Sequence, residues 1–210
     1  MKITSVAAFA ILLFAFASCK NNETKDEHAG YDMENMGNDT TQHATASADK
    51  EVKSVAVLYS NLDVKAAASF KEVVDHYLHV KNALATDNSA EAAIGSKAME
   101  AALVKIDKSI LTAEQKQVFD KIEGGLKETS TAIVKSGENI KQQRAQFVMM
   151  SEAVYELVKD FGAGRPIYHD HCPMARDNQG AMWISEVREV KNPYFGSAMP
   201  ACGTVEEVIK

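Results

Sequence analysis

The sequence predicts an all-α fold: an antiparallel up-down four-helix bundle with an irregular Cys/Met-containing C-terminal segment. Three observations lead there. Between residues 55 and 164 the chain has no proline and repeats apolar side chains at helical spacing. Short polar turns with capping residues divide that repeat into pieces of helix length. All four prolines, Pro166, Pro173, Pro193 and Pro200, follow Arg165, as do the only tryptophan, Trp183, and the cysteines Cys172 and Cys202.

Each helix carries its own signals. The first begins near Val55 and ends near Ala85. Phe70, Val73, Val74, Tyr77, Lys81 and Leu84 share one of its faces, and Lys81 alone interrupts the apolar stripe. "TDNSAE" offers Asn88 as a cap, with Glu91 three residues on, for an Ala-rich second helix through Ile94, Ala98, Ala101 and Val104. Thr112 and Gln115 form a capping box for the third, whose inner face is Val118, Phe119, Ile122, Leu126 and Ile133. "SGEN" stops it. The fourth presents Ile140, Phe147, Met150, Val154, Leu157, Val158 and Phe161 until "GAG" ends it at Gly162–Gly164.

Ahead of the bundle, "MKITSVAAFAILLFAFASC" has a positive start at Lys2, an apolar run from Val6 to Ala17, and small residues before Cys19. Residues 1–18 therefore read as a secretory signal, too short to span a bilayer. Cys19 then resembles the acylated cysteine of a bacterial lipoprotein, which places the protein on a membrane of the cell envelope, facing the periplasm or the cell surface. Residues 19–54 are polar and lack apolar periodicity, as expected of a tether whose ordering no burial would offset. His28, Met33, Met36 and His43 lie within it, side chains that soft and borderline metal ions favour and that a polar spacer also holds by chance. The bundle occupies 55–164 and the C-terminal segment 165–210, together one structural domain.

Charge and motif content narrow the function. A formal net charge of −6 argues against nucleic acid. Glu72, His76 and His79 lie on the first helix, but the other three helices hold no histidine, so a bundle metal centre is not expected. No Cys-x-x-Cys and no general base beside a nucleophile are present, and the protein reads as a non-enzyme.

The chemistry concentrates at the end of the chain. "HCPM" supplies His171, Cys172 and Met174, while "MPACG" supplies Met199 and Cys202. Two thiolates with thioethers make a soft donor set suited to Cu(I) or Ag(I). Zn(II) would take Cys172, Cys202, His169 and His171 in a tetrahedral set. A Cys172–Cys202 disulfide is the third reading: it would close a loop of about thirty residues and contribute roughly 3 kcal/mol without a metal. "NPYFG" reads as a turn that folds the segment back and brings Cys202 toward Cys172, with Trp183, Tyr194 and Phe195 anchoring it to the helices.

"HCPMA", "GAMW", "NPYFG" and the terminal "M..CG.V", together with the region around Tyr77 and Leu78, resemble the bacterial domain of unknown function 3347, which recurs in cell-envelope proteins of the Bacteroidetes. The resemblance covers most of residues 60–208. It implies a neighbourhood: this domain is similar to modules beside the membrane-fusion subunits of copper and silver efflux pumps, so such a subunit is the implied partner. The "CPM" and "CG" words also resemble a short heavy-metal-binding domain, from which this chain departs by carrying Ala175 after "CPM" and no methionine after Gly203. The combined expectation is a lipid-anchored envelope protein that binds a soft metal ion through Cys172 and Cys202, assisted by Met174, Met199 or His171. A non-enzymatic interaction module with a structural disulfide is the alternative.

The apolar run ending at Ser18-Cys19 yields the first prediction. Cys19→Ala should move the protein from the membrane fraction to the soluble envelope fraction or block its maturation. Fractionation and immunoblotting check this, and unaltered sedimentation with membranes would contradict lipid anchoring.

Overall fold

The computed structural model describes residues 52–210. The expected signal peptide, the lipidation residue Cys19 and the tether as far as residue 51 lie outside the described residues. Four long helices follow one another: α1 (Val64–Ala85), α2 (Ser89–Lys105), α3 (Ala113–Lys135) and α4 (Ile140–Phe161). Three of the ends the sequence signalled are present. Asn88 accepts the Glu91 N–H, Thr112 and Gln115 complete a reciprocal box, and Gly162 ends α4 at φ +74. None of the described helices is long and apolar enough to cross a membrane.

The expectation of an all-α fold is corrected by a four-stranded mixed sheet. Its strands are β1 (Lys53–Val55), β2 (Ile167–Cys172), β3 (Ala181–Ser185) and β4 (Thr204–Ile209), ordered β1-β4-β2-β3. β1 runs parallel to β4, and β2 is antiparallel to both its neighbours. The expected irregular segment thus satisfies its backbone groups by pairing with itself, and it buries Ile167, Trp183, Ile184 and Ile209 in the same core as the helices. Lys53 and Ser54, expected at the end of the tether, belong to the sheet.

Two further expectations shift. The first helix starts at Val64 rather than near Val55, because Asp63 caps it by accepting the N–H groups of Lys65 and Ala66. The chain before it runs across the end of α4, where Leu58 and Tyr59 donate at 2.9 Å to the carbonyls of Lys159 and Asp160. In α2 the buried face is Ala92, Gly95, Ser96, Met99, Ala102 and Leu103, whereas Ile94 and Val104 are exposed. Small side chains decide this: a Cβ on Gly95 would come within 3.0 Å of Val80, so α1 and α2 pack closely only through that face.

Arg144 of α4 ties the C-terminal loop to the helices. Its Nε donates to Pro193 O at 2.8 Å, and one Nη donates to Leu84 O at 2.8 Å and to Asp87 Oδ1 at 2.6 Å. Asp87 also accepts the Ser197 N–H, and these hydrogen bonds lower its pKa to about 2. Gly196 sits against this junction at φ +56, where a Cβ would fall on Asp87 Oδ1 and Arg144 Nη2. Gly124, by contrast, lies in α3 with nothing near its missing Cβ.

A paired measurement follows. Gly196→Ala should destabilise by about 2–4 kcal/mol, from left-handed strain plus loss of the loop contact. Gly124→Ala should stabilise by roughly 0.5–1 kcal/mol as an ordinary helix-interior replacement. Urea midpoints at unchanged slope check both, and equal shifts would show that the Gly196 junction bears no load.

Candidate functional site

Strand register accounts for the meeting of the two cysteines. Cys172 is the last residue of β2, and Pro173, which has no N–H to pair, follows it. β4 starts two residues after Cys202 and pairs antiparallel to β2 with Thr204 opposite His171. Both cysteines therefore emerge at the same end of the sheet. They are free thiols, Cys172 buried and Cys202 half-buried. The Cys202 thiol hydrogen-bonds to Cys172, and that bond, with burial and the neighbouring sulfur's charge, pushes its pKa up to about 11.

The backbone around Cys202 is held by one asparagine. Asn192, fully buried, donates from Nδ2 to Cys202 O at 2.6 Å, and its Oδ1 accepts the N–H groups of Tyr194 and Phe195 at 2.8 and 3.0 Å. Its own N–H donates to Pro200 O at 2.8 Å. Gly203, at φ +139, passes so close to Trp183 that a Cβ would lie 2.8 Å from Cη2 of the indole. "NPYFG" and "CG" are thus parts of one clasp. The Tyr194 hydroxyl closes it by donating to Met182 O at 2.6 Å.

The other expected ligands are distributed unevenly. Met174 is 48 % exposed, and Met199 is half-buried one turn before Cys202, whose N–H donates to Met199 O. After Met174 come three consecutive non-glycine residues in left-handed conformation, Arg176, Asp177 and Asn178, at φ 55, 55 and 67. Each costs about 1–2 kcal/mol, so the surrounding structure must hold this turn in place.

Strand alternation sends His169 and His171 to the face of β2 opposite Cys172. His171 Nδ1 lies 3.5 Å from Glu206 Oε1, and the His169 ring packs 4.5 Å from the Tyr155 ring. Burial lowers the His169 pKa against the opposing charges of Glu206 and Glu207, and neither ring nitrogen has a hydrogen-bond partner. The four residues of a tetrahedral zinc set are accordingly not gathered. Among the described residues no group of three or more His, Cys, Asp or Glu side chains could hold a metal ion. On α1, His76 and His79 pair at the surface with Glu72 and Glu91.

Residues 73–165 match the family model described as a protein of unknown function, DUF3347. The match supports that domain family over most of α1 and the three following helices. It stops short of "HCPMA" and the other words of the C-terminal segment that resemble the family in sequence. No curated protein and no solved structure matches the chain.

The DUF3347 stretch also supplies a buried charge that bears on the site. Lys81, the residue that interrupts the apolar stripe of α1, is fully buried and reaches the sheet, with Nζ 3.0 Å from Glu186 Oε2 and 3.3 Å from Ser185 Oγ. Burial would raise Glu186, but the Asn82 hydrogen bond and the Lys81 charge hold it below the usual carboxylate range. Asp170, two residues before Cys172, is also fully buried, and neither of its oxygens makes a hydrogen bond of good geometry. Burial pushes its pKa up to about 7, while Lys81 and the Trp183 indole pull the other way. The sequence marked Lys81 as an anomaly and Asn192 as part of a turn, but Asp170 gave no signal.

Asp170 makes stability depend on pH. An acid whose folded pKa is raised contributes stability below its unfolded value, near 3.8, and loses it as pH rises toward about 7. The span of about three units corresponds to at most about 4 kcal/mol. Asp170→Asn should flatten the stability profile between pH 4 and 7 and leave the variant more stable than the wild type at pH 8. Urea unfolding across that range checks it, and parallel profiles would assign the charge no cost.

Proposed function

We propose that the protein binds a soft metal ion, Cu(I) or Ag(I), through Cys172 and Cys202 with help from the thioethers of Met174 or Met199, as a non-enzymatic, lipid-anchored component of envelope metal handling or efflux. The observation that carries this reading is the convergence of two free thiols at one end of the sheet, on a backbone clasped by Asn192. Two thiolates suffice for a low-coordinate soft cation, whereas zinc asks for four ligands, and His169 and His171 stand on the other face of β2. When bound, Cu(I) would take the thiolate form of Cys202, so uptake releases at least one proton. The envelope location and a partner in an efflux pump rest on the sequence resemblance and on the Cys19 motif. The same proximity also favours a second reading, an interaction module in which Cys172 and Cys202 form a disulfide.

The methionines separate the two readings, because a disulfide has no use for thioethers. Met174→Leu/Met199→Leu nearly preserves volume and should cost less than about 1.5 kcal/mol of packing per site. Kept reduced, the double variant should bind Cu(I) at least about tenfold more weakly than the wild type in a chelator competition, a loss of about 1.4 kcal/mol. Wild-type affinity should rise with pH through the neutral range, because uptake displaces a proton that Cys202 otherwise keeps there. Absence of stoichiometric Cu(I) binding by the reduced wild type, with both thiols blocked in protein taken directly from cells, would establish the disulfide instead.

A further inference from the structure

A cavity of about 550 Å³ lies between α4, the left-handed turn and the C-terminal clasp. Its apolar lining is Ala145 and Val148 of α4 with Tyr194 and Phe195 of the clasp. Its charges are Lys141, Arg144 and Arg176 against one carboxylate, Asp177. Arg144 is committed to Asp87 and to two carbonyls, which makes it a fixed wall. The side chains of Lys141 and Arg176 have no ion pair or hydrogen bond among the described residues, although the chain as a whole is acidic at −6. Cations that find no partner in an acidic protein, and that converge on one aromatic-floored cavity, are complementary to an anion.

Local backbone chemistry adds to this. Lys141 stands in the first turn of α4, which holds no acidic residue, so the helix dipole favours negative charge at that end. Arg176 is carried by the left-handed turn, whose geometry is unfavourable for each non-glycine residue in it and which forms the opposite wall. A cavity of this size accommodates a small molecule, with its apolar body on the floor and few polar groups to orient it. We propose that this cavity binds a small organic carboxylate with an aromatic body, its carboxylate between Lys141 and Arg176 and its ring on Tyr194, Phe195 and Val148. The proposal goes beyond metal binding and does not depend on it, since no cysteine or methionine lines the cavity.

The test uses the whole purified protein, metal-free and reduced, with 2-naphthoate as probe and its uncharged isostere 2-naphthamide as control, followed by isothermal titration calorimetry at low salt. Naphthoate should bind saturably at one site, at least about tenfold more tightly than naphthamide, and the difference should shrink as salt is added. Lys141→Glu/Arg176→Glu, two solvent-exposed changes, should abolish the preference for the carboxylate while far-UV circular dichroism stays that of the wild type. Should that pair disturb folding, Ala145→Trp fills the cavity from an exposed helix position and should weaken both probes without altering any charge. Equal affinity for the two probes, an unchanged preference in the charge-reversed protein, or no saturable naphthoate binding at millimolar concentration would each overturn the proposal. Loss of Cu(I) binding with naphthoate binding intact, or the reverse, tells failure of one reading from failure of the other.

Discussion

A lysine with no exposed surface in the middle of an apolar helix stripe has to be met by something. Lys81 is met by Glu186 and Ser185, both from the segment after the helices. Moving an ammonium out of water costs several kcal/mol unless it is paired and hydrogen-bonded, and removing the partner strands the charge. The helices are consequently not a self-sufficient bundle. α1 is folded for a sheet that the chain delivers about a hundred residues later, and the Tyr77 hydroxyl, which accepts the Ile184 N–H at 3.1 Å and pairs with Ser151 at 2.8 Å, makes the same connection with neutral groups. Sheet and bundle share one core because polar groups on α1 require it.

That dependence fixes where the cysteines lie. With β3 held against α1 and α4, β2 pairs beside it, β4 beside β2, and the antiparallel register leaves only the Cys172 end of β2 for Cys202 to approach. Asn192 then removes the remaining freedom, since its amide satisfies the Cys202 carbonyl and its carbonyl satisfies the loop. The loop is anchored in turn to the α1–α2 turn and to α4 through Arg144, Asp87 and Gly196. A path of ordinary contacts therefore runs from the helical stretch matched by DUF3347 to the thiols beyond it.

How legible was this in the residues? Helix ends were, because Asn88, the Thr112–Gln115 pair and Gly162 act within a few positions of themselves, and local hydrogen bonding leaves local sequence signatures. The inner faces of α3 and α4 were as well, since large side chains mark them. α2 was not, because Gly95, Ser96, Ala92 and Ala102 share its buried face with Met99 and Leu103 while Ile94 and Val104 face out, so large apolar residues lie on both sides and their periodicity does not mark the inner one. The strands stayed hidden for another reason. β2 carries two histidines and a buried aspartate, β3 is apolar on both faces, and β1 joins β4 across some 150 residues, so none shows the alternation of a half-buried strand. The convergence of Cys172 and Cys202 was legible through the "NPYFG" turn, whereas the separation of both histidines from Cys172 follows from a strand pattern that the sequence did not reveal.

The asymmetry of the thiol pair bears on what the site can hold. Cys172 has no exposed surface and Cys202 has some, so any ion or oxidant arrives from the Cys202 side; Met199 is half-buried three residues before Cys202, and Met174 is exposed two residues after Cys172. A methionine in solvent gains little from packing, and Met174 precedes a turn whose three left-handed residues cost several kcal/mol together. Strain of that kind persists where neighbouring structure overrides it; here Asn178 and Gly180 are held by backbone bonds to Met174 and Ala175. A disulfide would need only the two sulfur atoms and the clasp. A thioether close in sequence to each cysteine, one of them just ahead of a strained turn, is what a soft cation would add to that requirement.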